Sequence, residues 1–333
     1  MRVAPALLAT AVLVAFSAAP APAAAQAADA AAAARYPDRP VRMVVPFAPA
    51  GTADIVARLV AQCMAPGLGQ PVVVENRAGA GGTVGSEAVA KAAPDGYTLA
   101  LHTVSSAVLN SFLYRRLPYD ARRDFVAVSQ VGQSPNVLVV RPGLPANSVQ
   151  ELIALLKREP RRYSYGSSGN GTILHLSAAL FATMAGVEAT HVPYRGAGPA
   201  LNDLLAGQVD FMIDVIPALL PHIQEGRLRA LGVSTAERVP LLPEVPTIAE
   251  AALPGYETYI WHGLFAPART PRPVVERVAA EAVKAVNDPD CRRRMVELGV
   301  DPVGSGPAEF EAFWDRQIAY WGPVVRASGA TLD

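Results

Sequence analysis

Short apolar runs that alternate with helical patterns are the feature that most constrains this fold. The runs are rich in Val, Ile and Phe, and the segments between them carry apolar residues at helical spacing. Such alternation predicts right-handed β-α-β units, and therefore an α/β fold with parallel-rich sheets flanked by helices. The predicted strands are Arg42–Val45, Val72–Val74, Thr98–Leu101, Val137–Val140, Ser164–Gly166, Thr190–Val192, Phe211–Ile213, Ala230–Val233 and Ile260–Phe265.

A chain of 333 residues is long for one domain, since single domains run to roughly 100–200 residues. The C-terminal part from Pro273 onward is predicted to be mostly helical, and we expect it to pack back on the first of two lobes. Lobe 1 would then comprise residues 36–138 and 256–333, and lobe 2 residues 139–255. The predicted helices are Ala53–Met64, Val149–Lys157, Thr172–Met184, Val274–Val286, Asp290–Leu298 and Pro307–Val325.

The N-terminus has the pattern of a secretory signal. Arg2 precedes an apolar run that ends at Phe16, and Ala25-Gln26-Ala27 is an A-x-A cleavage site. We therefore predict a signal peptide over residues 1–27, cleaved near Ala27, and a periplasmic mature protein. An uncleaved anchor is the alternative, although the run is short of the roughly 20 residues that a spanning helix needs.

Composition and spacing exclude several functions. Lys and Arg balance Asp and Glu at 29 each, and no basic stripe with aromatic residues indicates nucleic-acid binding. The five histidines show no metal-binding spacing, so we expect neither a metal nor another cofactor. Cys63 and Cys291 either form one disulfide or are buried thiols; the sequence leaves both open.

Ligands of open parallel sheets bind beyond the carboxyl ends of strands, where helix N-termini offer free N–H groups. The loop after the first predicted strand supplies the candidate ligand residues Phe47, Ala50, Gly51 and Thr52. Gly51 permits close backbone approach, and the Phe47 ring can cover a carbon skeleton. Asp54 would repel a bound carboxylate, so we expect it to stabilise the helix start and brace the loop.

The loop after the third predicted strand offers the hydroxyls of Ser105 and Ser106. This signal is weak, because serines are ordinary helix caps.

The strongest candidate is Tyr165-Gly-Ser-Ser-Gly-Asn-Gly-Thr172, which combines three glycines, three hydroxyls and a helix start. It predicts a neutral cradle for an anion. The loop is no P-loop, because it lacks the Gly-Lys-Ser/Thr ending, and Leu174 breaks a dinucleotide fingerprint. Asn170 likewise breaks the nucleophile elbow pattern. Its candidate ligand residues are Gly166, Ser167, Ser168, Gly169, Gly171 and Thr172.

Two further segments carry polar candidates. Tyr194, Arg195 and Gly196 follow one predicted strand, and Arg195 either offers a positive charge to a carboxylate or is solvated. Asp214 ends another strand and either accepts a hydrogen bond from a ligand amine or hydroxyl, or caps the next helix. His175 we expect to be a satisfied core or loop-bracing residue.

These loops, in this order, resemble those of the Bug family of periplasmic binding proteins, the binding components associated with tripartite tricarboxylate transporters. The resemblance covers the chain from Tyr36 to about Val325. The motifs that carry it are Tyr36-Pro-Asp-Arg-Pro-Val-Arg-Met-Val-Val-Pro-Phe47, Val74-Glu-Asn-Arg-Ala-Gly79, Pro94-Asp-Gly-Tyr97, Leu117-Pro-Tyr-Asp120, Asp124-Phe125, Tyr165–Gly171, His175-Leu176, His191-Val-Pro-Tyr-Arg-Gly196, Gly207-Gln-Val-Asp210, Leu242-Pro-Glu-Val-Pro-Thr247 and Pro254-Gly-Tyr256.

The resemblance implies a two-lobed binding protein of type II, a Venus flytrap. We expect the protein to be a monomer. It also implies a small carboxylic acid or amide-like ligand, held mainly by backbone and ordered water. The position matching Asp214 engages an amino group in relatives whose ligand has one. This chain departs from the family pattern at Ala50, where a glycine is usual, and at Ala178 and Ala179, where an acid often occurs.

Two other functions are compatible with the same residues. An exported enzyme would use Ser168, His175 and Asp214 in the cleft, and it would turn its ligand over. A ligand-presenting partner of a membrane sensor would share the binding chemistry and differ only in the recipient.

Overall fold

The computed structural model describes residues 35–49 and 51–332. The predicted signal peptide at residues 1–27 and the candidate ligand residue Ala50 lie outside these residues. Residues 37–333 form one compact unit. The boundaries of the two lobes therefore remain a prediction.

The strands agree with the sequence pattern in number and place, apart from additions at β4 and β10. Each of the nine predicted strands falls within one of the observed strands. Within the described residues the strands are β1 Val41–Val45, β2 Val72–Asn76, β3 Thr98–Thr103, β4 Phe125–Val140, β5 Ser164–Ser167, β6 Thr190–Pro193, β7 Phe211–Val215, β8 Arg229–Val233, β9 Tyr259–Pro267 and β10 Asp301–Pro302.

The helices likewise follow the predicted periodicity. A 3₁₀ turn at Ala80–Gly82 and a π-helical turn at Ser105–Leu109 supplement them. None of the described helices is long and apolar enough to cross a membrane. In the same part of the chain the α-helices are α1 Thr52–Leu68, α2 Thr83–Ala90, α3 Asn110–Leu113, α4 Ala121–Asp124, α5 Val149–Arg158, α6 Ile173–Ala185, α7 Ala197–Leu205, α8 Ile216–Gln224, α9 Ile248–Ala251, α10 Arg272–Asn287, α11 Pro289–Glu297 and α12 Pro307–Ser328.

The strands form two sheets that share β4. In the first sheet, β1 pairs in parallel with β2 and β3, and antiparallel β9 joins β3 to the first part of β4. In the second sheet, β5 pairs in parallel with β6 and β7, while β7 and β8 run antiparallel to the end of β4. The α/β class is thus confirmed, with parallel pairs outside and antiparallel pairs at the centre.

The long strand β4 is the main element that the sequence pattern missed. It extends back to Phe125, whereas only Val137–Val140 was predicted. Gly132 and Pro135 interrupt the apolar run, and both residues ordinarily argue against a central strand. Pro135 is the last residue paired with β9 and Asn136 the first paired with β7, so the strand changes sheets here.

Among the described residues, three buried apolar clusters pack around these sheets. One cluster joins the helices of the first sheet to the start of α6, where Ile173 and Leu174 pack with Leu113, Trp314 and Trp321. The other two clusters cover opposite faces of the second sheet. The helix α6 is therefore held by the cores of both sheets.

Cys63 on α1 and Cys291 on α11 form a disulfide, with their Cα atoms 6.4 Å apart. Of the two alternatives that the sequence left open, the structure has the bridge. It ties the first helix to the C-terminal segment across 228 residues of sequence.

Candidate functional site

The first loop connects β1 to α1, and a polar network fixes it. Gly51 precedes α1 without a side-chain cap, and its carbonyl accepts the Ile55 N–H at 3.0 Å. Asn76 donates to the Phe47 carbonyl at 3.1 Å and to Asp54 Oδ1 at 2.9 Å. Arg58 pairs with the same Asp54 carboxylate, which is buried. Asp54 therefore braces the loop, as predicted, and Phe47 and Thr52 beside it are half-buried.

The second loop differs from its prediction in detail. A π-helical turn begins at Ser105, a geometry often found at functional sites. Ser106 is 1% exposed, and its hydroxyl bonds to the backbone N–H and carbonyl of Thr103 at 3.2 and 3.4 Å. Its hydroxyl thus stabilises the turn, whereas Ser105 is half-buried at the surface of the loop.

The third loop, Gly166–Thr172, joins β5 to α6 and is shaped by its own polar groups. Gly169 and Gly171 have φ of +129° and +71°, which side chains rarely allow. The Thr172 hydroxyl donates to the Gly169 carbonyl at 2.8 Å and accepts the His175 N–H at 3.3 Å, so Thr172 is the N-cap. The Ser167 hydroxyl is buried and bonds to Gly169 N–H at 3.2 Å.

The first turn of α6 retains free donors. Among the described residues, the N–H groups of Ile173 and Leu174 have no hydrogen-bond partner. Such groups carry the positive end of the helix dipole and attract an anion. No charged side chain occurs between Gly166 and Thr172, so an anion here would be held by backbone and hydroxyl groups.

Histidines brace this third loop from behind. Gly171 N–H donates to His175 Nδ1 at 3.1 Å, which confirms the predicted loop-bracing role of His175. Ser167 Oγ lies 2.6 Å from His191 Nε2, and the two imidazoles stack at 3.9 Å. Burial lowers the pKa of each imidazole to about 4, and the neighbouring His191 ring lowers the pKa of His175 further. Both rings are therefore neutral at physiological pH.

The segment after β6 packs on the same loop. Tyr194 N–H donates to the Ser167 carbonyl at 3.1 Å, and the Tyr194 hydroxyl donates to Asp203 Oδ2 at 2.6 Å. Gly196, with φ of +118°, precedes α7. Arg195 is exposed and forms no ion pair with the described residues, which leaves its charge available to a ligand.

Asp214 lies at the end of β7 and is 2% exposed. Its Oδ1 accepts the Val215 N–H at 2.7 Å, whereas its Oδ2 is buried without a partner among the described residues. Burial raises the pKa of Asp214 to about 7, and the Val215 hydrogen bond opposes this only in part. The carboxyl is therefore poised between its neutral and charged forms.

The structure brings some of the predicted site residues together and leaves others apart. Hydrogen bonds join Ser167 to both Gly169 and Tyr194, and Gly166 precedes Ser167 in β5. No hydrogen bond among the described residues joins Phe47–Thr52 to Gly166–Thr172.

One cavity links the first loop to the residues that follow Asp214. It has a volume of about 270 Å³, slightly below the roughly 300–1,000 Å³ of typical ligand pockets. Its lining residues are Thr52, Ile55, Val56, Ser134, Val215, Pro217, Ala218, Glu297, Leu298 and Val300.

The residues of the alternative enzyme hypothesis are not assembled for catalysis. Among the described residues, no hydrogen bond connects Ser168, His175 and Asp214 to one another. Nor do three or more His, Cys, Asp or Glu side chains in that part of the chain form a group that could hold a metal.

Sequence reasoning missed the bracing residues Asn76 and His191. Both fall in motifs that were recognised, but a polar residue at a strand end gives no signal of the loop it contacts. Only the fold shows that Asn76 reaches the first loop and that His191 stacks on His175.

Comparison with known proteins identifies the class and then the family. The fold is that of a solute-binding protein. R. palustris Rpa4515, solved with adipate, is 39% identical to this chain; the match covers 89% of this chain and 99% of Rpa4515, with a TM-score of 0.78. MatC from Rhodopseudomonas palustris, solved with bound malate, is 36% identical over 87% of this chain and 100% of its own, with a TM-score of 0.75.

The sequence comparisons agree. The family model for the tripartite tricarboxylate transporter family receptor matches residues 56–330. Protein BugT of Bordetella pertussis is 39% identical over 298 residues, 89% of this chain and 91% of its own length. The chain belongs to the TctC family of solute-binding receptors, which includes the Bug proteins and whose members are receptors, not enzymes.

Proposed function

We propose that this protein captures a small carboxylate in a cleft between its two lobes and delivers it to a tripartite tricarboxylate transporter. The observation that carries the proposal is the Gly166–Thr172 loop, where unpaired N–H donors open α6 in a neutral, polar setting. Malate and adipate, each bound by a similar protein, are acids of the size and charge that this loop suits. The signal pattern supports export to the periplasm with cleavage near Ala27.

In this proposal the two lobes contribute unequal groups. The third loop binds one carboxylate, and the first loop, with Phe47, Gly51 and Thr52, contacts the rest of the ligand from the other lobe. Asp214 lies near the cavity that Thr52 lines and supplies a second point of recognition. As a neutral acid it donates a hydrogen bond to a ligand oxygen, and as a carboxylate it accepts one from a hydroxyl or amine.

A thermal-shift screen of the purified protein tests the binding. We expect malate, adipate or a related di- or tricarboxylate to raise the melting temperature, because a ligand at a hundredfold excess over Kd stabilises the native state by about 2.7 kcal/mol. Native mass spectrometry of the same preparation should show a small acid that co-purifies. No shift with any acid, together with no co-purified molecule, would contradict the proposal.

Two glycine variants distinguish an effect on ligand binding by the loop from an effect on the stability of the whole protein. Gly169→Ala places a Cβ 3.2 Å from the Tyr194 carbonyl at a φ of +129°, so it should abolish the ligand-dependent shift. Gly186→Ala introduces a residue with positive φ, here +61°, at the other end of α6, with no atom within 4 Å of its Cβ. This control should melt at a lower temperature but keep the full ligand-dependent shift.

A separate incubation tests the enzyme alternative: recovery of the ligand unchanged after long incubation argues against turnover.

A further inference from the structure

Two histidine rings lie stacked behind the Gly166–Thr172 loop. The imidazoles of His175 and His191 are parallel to within 3°, with centroids 3.9 Å apart. Tyr165 stacks on His191 at 4.9 Å and 20°. Since His175 is on the first turn of α6 and His191 is on β6, the pair joins the helix that follows the loop to the strand that pairs with β5.

Both rings bond to the loop itself. Gly171 N–H donates to His175 Nδ1 at 3.1 Å, so this nitrogen carries no proton in the observed loop conformation. His191 Nε2 is 2.6 Å from Ser167 Oγ, which in turn accepts the Gly169 N–H at 3.2 Å. The positions of the two loop glycines therefore depend on two ring nitrogens.

In the described part of the chain, nothing around the two rings would compensate a positive charge. No carboxylate among the described residues forms an ion pair with either ring, and burial raises the pKa of Tyr165, the stacked neighbour, to about 12. The opposite face of α6 packs its apolar residues against α12. The ionisable groups on the surrounding elements are engaged elsewhere or exposed: Asp203 with Tyr194, Asp210 with Arg141 and Ser164, Glu188 with Arg161, and exposed Arg195.

We propose that His175 and His191 are positioning residues that make ligand retention by the Gly166–Thr172 loop dependent on pH. The inference rests on the proposed function, in which this loop binds the carboxylate. A proton on His175 Nδ1 removes the acceptor of the Gly171 N–H, and a second proton sets two cations 3.9 Å apart. The loop then loses its shape, and the ligand is released as the pH falls.

A double variant tests this dependence. In His175→Asn with His191→Gln, amide groups can replace the two ring nitrogens as hydrogen-bond partners of Gly171 N–H and Ser167 Oγ, but neither side chain titrates. We expect the variant to bind malate at pH 7.5 within about threefold of the wild type. At pH 4.0, close to the pKa of both rings, each ring is neutral in about half of the molecules. The fraction of wild-type protein that can bind then falls to between about a half and a quarter, so the ratio of wild-type Kd to variant Kd should rise about two- to fourfold. The titration of malate itself cancels in this ratio.

Two further measurements make the outcome decisive. His222→Gln, a change of the same kind on α8, should follow the wild type at both pH values. An NMR titration of the unliganded wild-type protein should show the Gly169 and Gly171 amide signals moving with the ring signals of His175 and His191.

The inference would be overturned if the ratio of the two Kd values were the same at pH 7.5 and pH 4.0. It would also be overturned if the Gly169 and Gly171 amide signals did not shift with the ring signals of His175 and His191. If the amides move with the rings but no form of the protein binds malate, the coupling stands and malate binding fails. If malate binds while the amides are indifferent to the rings, the proposed function stands and this inference fails.

Discussion

At the scale of single residues, Asp214 is where burial and ionisation oppose each other most directly. One oxygen is bonded to Val215 N–H and the other is buried without a partner among the described residues. Burial deprives the carboxylate of the hydration that would stabilise its charge in water, which is why the pKa of Asp214 rises to about 7. Near neutral pH the residue is therefore divided between its neutral and charged forms.

This raised pKa predicts a pH-dependent stability difference between the wild type and Asp214→Asn. The native state holds the proton up to about pH 7, whereas the unfolded chain releases it near pH 4. Stability from Asp214 is therefore fully present below about pH 4 and is lost as the pH rises to about 7. Relative to the variant, the wild type should lose up to about 1.4 kcal/mol per pH unit in this window. Urea denaturation at several pH values measures the difference.

Comparison with the variant is needed because the buried histidines act in the opposite direction. Their lowered pKa values make the native state less stable as the pH falls below about 6.5, and this contribution is common to both proteins. A stability difference that does not change between pH 4 and 7 would show that Asp214 is not buried in its neutral form.

At the scale of elements, α6 is the helix on which the candidate site depends. Its N-cap Thr172 fixes the loop through Gly169 and the helix through His175. The loop is thus an extension of the helix end, and its geometry is set by the same hydrogen bonds that start the helix.

Thr172→Ala should destabilise the protein by about 1 kcal/mol and weaken ligand binding, because the cap and the loop bond are lost together. Thr183→Ala is the matched control on the same helix. Thr183 is exposed, and among the described residues its hydroxyl bonds only to the Ala179 carbonyl, so its replacement should be neutral or slightly stabilising. Urea denaturation and the thermal shift with malate measure both effects, and equal losses in the two variants would contradict the assignment of Thr172 as the cap.

At the scale of the whole molecule, the disulfide closes the longest covalent loop in the protein. Cys63 and Cys291 connect α1 with α11, so the bridge restricts the unfolded chain over most of its length. Long loops lose the most entropy on closure, and the stabilisation of such a bridge is typically about 2–5 kcal/mol.

Cys63→Ser with Cys291→Ser should therefore unfold at lower urea, with a loss of about 2–5 kcal/mol. The oxidised wild type should shift to the same midpoint when a reductant is added, and the variant should not respond to reductant. A wild-type midpoint that is insensitive to reductant would mean that the two thiols are not bridged in solution.

The sequence pattern predicts most of this fold, because strands such as β1 and β7 are short, apolar and bounded by turn residues. It fails at β4, where Gly132 and Pro135 break the run and the neighbours that satisfy the strand are distant in sequence. The site follows the same division. Glycine loops are visible in sequence, whereas the stacking of His191 on His175 and the burial of Ser106 arise from tertiary packing.

Because β4 belongs to both sheets, insertions and deletions within this strand are restricted. In the second sheet its side chains alternate between two cores, with Val137 and Val139 in one and Leu138 and Val140 in the other. One inserted residue near Pro135 would exchange these faces along the rest of the strand. Insertions and deletions should therefore accumulate in surface loops. The length of β4, from the residues that pair with β9 to those that pair with β7, should stay fixed.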